Sequence, residues 1–199
     1  MKVIVTSFLL LCFALTNANS QKSVNSIAVQ HAISLPLDRT NAFINNMSLR
    51  GIALDYRYHP TPETGIGVSS GWVAFFDRKM RDTHDVANGV LTVSGKQYRY
   101  LNSVPFLLAI DHYMHAERFL SRFIGLGIGT TYNRIDKKTG PYQTRLHAWQ
   151  FTLAPEAGVR IGYDFSFSTY LSLRYTYNLE TNALCDQSYL SVNIGIMHR

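Results

Sequence analysis

The last third of the chain alternates apolar residues with small or polar ones, and the gaps between such stretches alternate long and short. In the segments GVRIGYDF, YLSLRYTYN and YLSVNIGIM, one face reads Val159, Ile161; Leu171, Leu173, Tyr175, Tyr177; Leu190, Val192, Ile194, Ile196. The other face reads Gly158, Arg160, Gly162; Ser172, Arg174, Thr176; Ser191, Asn193, Gly195. A period of two held over such lengths specifies β-strands with two unlike faces, and no helical period of 3.6 competes over a long window. What the chain can do depends on which face is wet.

Eight segments of strand type follow, at residues 25–37, 48–59, 65–77, 97–111, 118–132, 147–163, 168–178 and 188–198. The first, third, fifth and seventh connections are long and charged. The second, fourth and sixth (PTPETG, HYMHAE, DFSF) are short. An up-and-down meander with one short-looped and one long-looped end has this layout, as in transmembrane β-barrels. The fold class expected is therefore all-β, an eight-stranded antiparallel up-and-down transmembrane β-barrel.

The apolar phase carries Ile52, Leu54, Ile66, Val68, Phe106, Leu108, Ile124, Ile128 and Phe151, with aromatic residues such as Tyr56, Phe76, Tyr132, Trp149 and Tyr177 towards strand ends. That distribution suits acyl chains flanked by head groups. The opposite phase mixes Gly65, Gly67, Gly71, Gly125, Gly127 and Gly129 with Asp55, Arg57, Glu156 and Arg160. Glycine weakens a water-facing strand, but it makes room inside a narrow barrel, whose eight strands leave an interior that side chains just fill. The inverse arrangement, a soluble lipocalin-like barrel with the apolar phase around a ligand, is the alternative. His31 and Asn102 fall on the apolar phase, and Pro105 and Pro155 fall in mid-strand, where bulges or local breaks are expected.

The chain begins with Lys2, the apolar run VIVTSFLLLCFAL and the small-residue stretch TNANSQ, the pattern of a secretory signal peptide over residues 1–20, with Ala18 as the other cleavage point. Cys12 sits inside the apolar run behind Leu11, unlike a lipoprotein cysteine. The remaining stretch, 21–199, fits one barrel domain. It keeps Cys185 alone, so no intramolecular disulfide can brace it. The formal charge of +6 suits anionic head groups and is also a common surface balance, and the aromatic content of 13 % is high.

LNSVPFLLAIDHY, FIGLGIGTTYN, LAPEAGVRIGYDF, YLSLRYTYN and SYLSVNIGIMHR together resemble the outer-membrane protein β-barrel domain family, the small eight-stranded OmpA/OmpX-like barrels of Gram-negative bacteria. The resemblance spans roughly residues 21–199 and implies an outer-membrane location. Barrels of this family end on an aromatic residue; this chain ends Met197, His198, Arg199.

No constellation argues for catalysis, a metal, a cofactor or nucleic acid. A barrel enzyme acting on lipid A needs an activated Ser with His and a carboxylate at the rim. The nearest sets are His31 with Ser34, and His112 or His115 beside Asp111 and Glu117, all read as ordinary polar positions. Zinc spacing is not met there. GLGIGT from Gly125 lies within one strand and is not a nucleotide loop.

Two sets of residues remain. Asp55, Arg57, Arg99, Glu156, Arg160 and Arg174 share the inward phase and are expected to pair as a ladder that fills the lumen, since charges cut off from water must pair. Arg78, Lys79, Arg81, Arg134, Lys137, Lys138 and Arg145 lie in the long connections, where they would meet lipopolysaccharide phosphates or form a plain solvated loop face. The function expected is that of a non-catalytic, monomeric outer-membrane barrel with an envelope-structural or surface-contact role. Its partners would be membrane lipid, lipopolysaccharide or an extracellular ligand. A lipid A-modifying or lipid-binding barrel is the rival on the same scaffold.

Overall fold

The computed structural model describes residues 24–86, 91–115, 119–139, 142–162 and 167–198. The leader expected over residues 1–20 lies outside them. Eight antiparallel strands close a ring in chain order. They are β1 (Val24–Leu37), β2 (Gly51–Thr61), β3 (Thr64–Val86), β4 (Leu91–Met114), β5 (Leu120–Thr139), β6 (Tyr142–Gly162), β7 (Phe167–Asn178) and β8 (Gln187–His198). The seam is made by β1 against β8, from Ile27 opposite His198 to Leu37 opposite Ser188. Closure gives the ladder partners along that seam, as a barrel requires.

Leu173 and Ile194 are 47 % and 49 % exposed on the outside, while Arg57 is 2 % and Arg160 5 % exposed. The apolar phase thus forms the outer wall and the charged phase the interior, the reverse of a lipocalin-like core. Glycines stand where large inward side chains need room. A Cβ built on Gly125 would lie 2.1 Å from Asp111 Oδ1, and one on Gly158 would lie 2.6 Å from the Phe123 ring. Each is the register partner of the residue that covers it.

Three strands, β2, β7 and β8, have the 11 or 12 residues that cross a bilayer. The middle four are about twice as long, at 23, 24, 20 and 21 residues. Two of the long connections expected from the sequence are therefore not loops. The β3–β4 hairpin stays in pairing up to Val86 opposite Leu91, and the β5–β6 hairpin up to Thr139 opposite Tyr142. Zipping satisfies backbone groups that a long loop would leave to water, and long structureless loops are uncommon for that reason. The result is a four-stranded sheet that rises above the ring.

The prolines break the ladder without bulging it. Pairing of β3 with β4 runs from Ser70–Phe106 to Val73–Ser103 with the intervening pairs missing around Pro105. Pairing of β6 with β7 skips from Leu153–Tyr177 to Glu156–Arg174 around Pro155. The register sum is unchanged across both gaps. The shifts that do occur lie elsewhere, between Tyr58 and Thr61 and between Lys79 and Asp82.

The connection after β1 contains a short helix, α1 (Asp38–Phe43). Asp38 enters it with φ 45°, a left-handed conformation that Asp tolerates. Its carboxylate accepts a hydrogen bond from Ser188 Oγ at 2.8 Å. After α1 the chain turns down into the barrel mouth, where Ile44 is fully buried against Phe75, Leu101 and Tyr189.

Candidate functional site

The interior is stacked in layers. At the short-turn end, Tyr113, Phe123, Tyr170, Met197 and Ala28 pack together, with Phe123 and Tyr170 stacked at 4.8 Å between ring centroids. At the long-loop end, Ile44, Val73, Phe75, Leu101 and Tyr189 form a second apolar layer. The charges lie between these two.

Their geometry is a continuous chain of alternating sign. Arg57 Nε donates to Asp111 Oδ2 at 2.6 Å, and Arg57 Nη1 lies 3.4 Å from Asp55 Oδ1. Arg174 Nη2 reaches Asp55 at 3.2 Å and Glu156 Oε2 at 2.7 Å. Arg174 Nη1 also donates to Ser69 Oγ at 2.9 Å, and Gln30 donates to Asp55. Arg57 Nη1 also donates to the backbone carbonyls of Tyr56 at 3.2 Å and Val68 at 3.0 Å. All these side chains are buried, and a buried charge is tolerated only with this degree of pairing and hydrogen bonding.

Of the six residues expected in the network, Asp55, Arg57, Glu156 and Arg174 come together. Arg160 stands beside them with its guanidinium 5.1 Å from the Tyr113 ring centroid. Arg99 is inward-facing but belongs to the upper mouth. There it donates to Gln97 Oε1 at 2.5 Å and to the Phe43 carbonyl at 2.9 Å, and it covers the Phe43 ring. The missed member is Asp111, which the sequence placed beside a polar turn. The parity of β4 was the signal available, because Ile110 faces out and Asp111 must then face in.

A second polar ladder was also missed. Ser103 donates to Asn133 at 2.5 Å, and Asn133 donates to Gln150 at 2.7 Å. Gln150 in turn holds the β7–β8 loop through the Leu179 and Cys185 carbonyls, each at 2.9 Å.

Among the described residues the rejected catalytic sets do not assemble. His31 faces outward, whereas Ser34 is buried and bonded to Ser191 at 2.7 Å. Asp111 faces in and His112 out, His115 occupies a turn with φ 57°, and Glu117 lies outside the described residues. Asn102, the other misfit on the outer phase, accepts a hydrogen bond from Trp72 Nε1 at 3.3 Å.

On the raised sheet, Arg134 and Arg145 both hold Asp136, at 2.8 and 2.7 Å. Burial works to raise the Asp136 carboxyl, but the hydrogen bonds from Arg145 and Arg134 outweigh it and bring it below its ordinary value. Arg78 lies over Tyr98 and Lys138 over Tyr100, and both rings flank Phe76. Lys137 faces the inner side of the sheet. The side chains of Lys79 and Arg81 lie outside the described residues. The sheet has two flanks with no strand partner among the described residues: β3 beyond Val73, and β6 before Thr152.

No protein-family model and no curated protein sequence matches the chain. Solved structures do match. Neisserial surface protein A superposes with a TM-score of 0.55 at 10 % identity, covering 89 % of this chain and 99 % of that one. Ail, the attachment invasion locus protein of Yersinia pestis, in complex with the heparin analogue sucrose octasulfate, gives 0.53 at 14 % identity with the same coverage. The outer membrane protease OmpT of Escherichia coli gives 0.53 at 6 % identity, covering 92 % and 99 %. The chain has the fold of these outer-membrane β-barrels.

Proposed function

We propose that this chain is a non-catalytic outer-membrane barrel that presents its raised four-stranded sheet to the cell exterior as a contact surface for anionic polysaccharide, the phosphorylated core of lipopolysaccharide in particular. One observation carries the reading. Above the apolar outer wall, cations are braced on aromatic rings, Arg78 on Tyr98 and Lys138 on Tyr100, and two more cations flank Asp136. A cation held over a ring keeps its charge at a fixed place near the head groups, where phosphate oxygens accept strong hydrogen bonds. The Ail structure, solved with a heparin analogue, supports the same class of ligand for a barrel of this fold.

The layered lumen supports a structural rather than a transport role, because an eight-stranded interior filled by side chains leaves no general pore. In the membrane, the neutral outer wall would need no second copy to cover it.

The test is retention of the purified protein, in phosphatidylcholine nanodiscs, on immobilised lipopolysaccharide. Binding that weakens with added salt and falls several-fold in the Arg78→Gln, Lys138→Gln double variant is expected. Equal retention of that variant would contradict the reading.

A further inference from the structure

Of the two open edges of the raised sheet, only one carries a feature that discourages pairing. The β3 edge contains the register shift between Lys79 and Asp82, and irregularities of that kind turn an edge away from partners. The β6 edge runs from Tyr142 to Trp149 in unbroken register with β5 and holds no proline. It closes only below, where the Leu179 N–H donates to the Phe151 carbonyl at 2.8 Å. We propose that this edge pairs, antiparallel, with β6 of a second copy standing in an opposing membrane, about a two-fold axis at Leu146.

Topology selects the occupant. In two copies upright in one membrane the β6 strands run the same way, so like edges would meet in parallel. A β6–β3 contact between such copies leaves an open edge at each end and never closes. In an inverted copy, across the gap between two membranes, β6 runs the opposite way. β6 then meets β6 antiparallel with both inner faces on the same side, the self-complementary contact that a two-fold axis makes. That axis also sets the two β3 edges opposite each other on the far side. Four strands from each copy then enclose one space with eight, the number in the ring below.

Local chemistry sets the register. In an antiparallel strand, alternate residues turn both backbone groups to the same side. Phe151 turns its carbonyl to the β7 side, so Arg145, His147 and Trp149 present theirs to the open edge. Centring on Leu146 joins Arg145 of each copy to His147 of the other by main-chain bonds and uses the whole open stretch. Centring on Arg145 would oppose two like charges, which is unfavourable. Leu146 is 46 % exposed on the inner side of the sheet, and its own counterpart covers it there. One such short pairing is weak, but many copies on two facing membranes act together. The contact uses a strand edge rather than the outer-face cations, so it stands apart from polysaccharide binding.

Phosphatidylcholine liposomes carrying the protein should cluster, read as turbidity, and two populations should join only when both carry it. His147→Pro removes an edge N–H without touching the β5 ladder. It should reduce clustering several-fold with heat-modifiable gel migration unchanged, whereas His147→Thr, which keeps the N–H, should cluster like the parent. In a chain with Cys12 and Cys185 replaced by serine, Leu146→Cys should form a disulfide between copies in joined liposomes, and Thr144→Cys should not. No clustering, as expected if the edge serves a strand of a different protein, overturns the proposal. So does undiminished clustering by folded His147→Pro, joining with protein-free liposomes, or the absence of a disulfide in Leu146→Cys.

Discussion

Arg57 Nε and Asp111 Oδ2 meet at 2.6 Å inside the barrel, and the carboxylate lies across the backbone of Gly125 on the next strand. The pair exists because that strand has no side chain at the crossing point. Gly125→Ala puts a methyl group 2.1 Å from Asp111 Oδ1 and must push the carboxylate off the guanidinium. We expect a loss of about 1–3 kcal/mol, the usual range for overpacking a well-filled interior. The urea midpoint of the folded protein in detergent measures it. An unchanged midpoint would mean that the carboxylate has another place to go.

Glu156→Gln keeps the shape of the side chain but removes the charge that Arg174 holds at 2.7 Å. Arg174 is then left with Asp55, which it shares with Arg57. The expected loss approaches the roughly 3–5 kcal/mol seen when one partner of a buried pair is removed. A midpoint equal to that of the unmodified chain would show that lumen water, not pairing, carries these charges.

Leu108 is 72 % exposed on the outer wall. Leu108→Arg should cost about 2–4 kcal/mol of barrel stability in a bilayer, the range for a cation on the lipid face near the midplane. On a water-facing strand the same change would stay within roughly 0.5 kcal/mol. Refolding yields into phosphatidylcholine vesicles distinguish the two.

Asp136 supplies a pH dependence confined to the raised sheet. Its folded-state carboxyl titrates below the unfolded value of about 3.9, so its pairing with Arg134 and Arg145 is fully present above that pH. The contribution is lost as the pH falls through the lower folded value. Both arginines are substantially exposed, so the effect is about 0.5–1 kcal/mol. Protection factors of the paired amides around Asp136, each rate taken relative to the intrinsic exchange rate at the same pH, should therefore fall below about pH 4, and Asp136→Asn should show the lower protection at neutral pH. The same protection in both proteins at neutral pH would contradict the pairing.

The sequence made the ring and its orientation legible because inside and outside alternate residue by residue, a purely local signal. It identified Asp55, Arg57, Glu156 and Arg174 for the same reason. Asp111 escaped because the polar run after it reads as a turn, although β4 continues to Met114. The burial of Ile44 escaped because it depends on α1 folding back over the mouth, which no local period reveals. The pairing of Arg134 and Arg145 with Asp136 needed the hairpin register, in which Asp136 stands opposite Arg145. Read as loop residues, they had no partners to suggest.

The most direct test of the orientation uses nitroxides attached in turn at Phe106, Leu108 and Ile110, all exposed on the outer wall. In liposomes, each should collide readily with oxygen and rarely with a water-soluble nickel chelate. Frequent collision with the chelate at all three positions would mean that water, not lipid, covers the outer wall, and the account would fail.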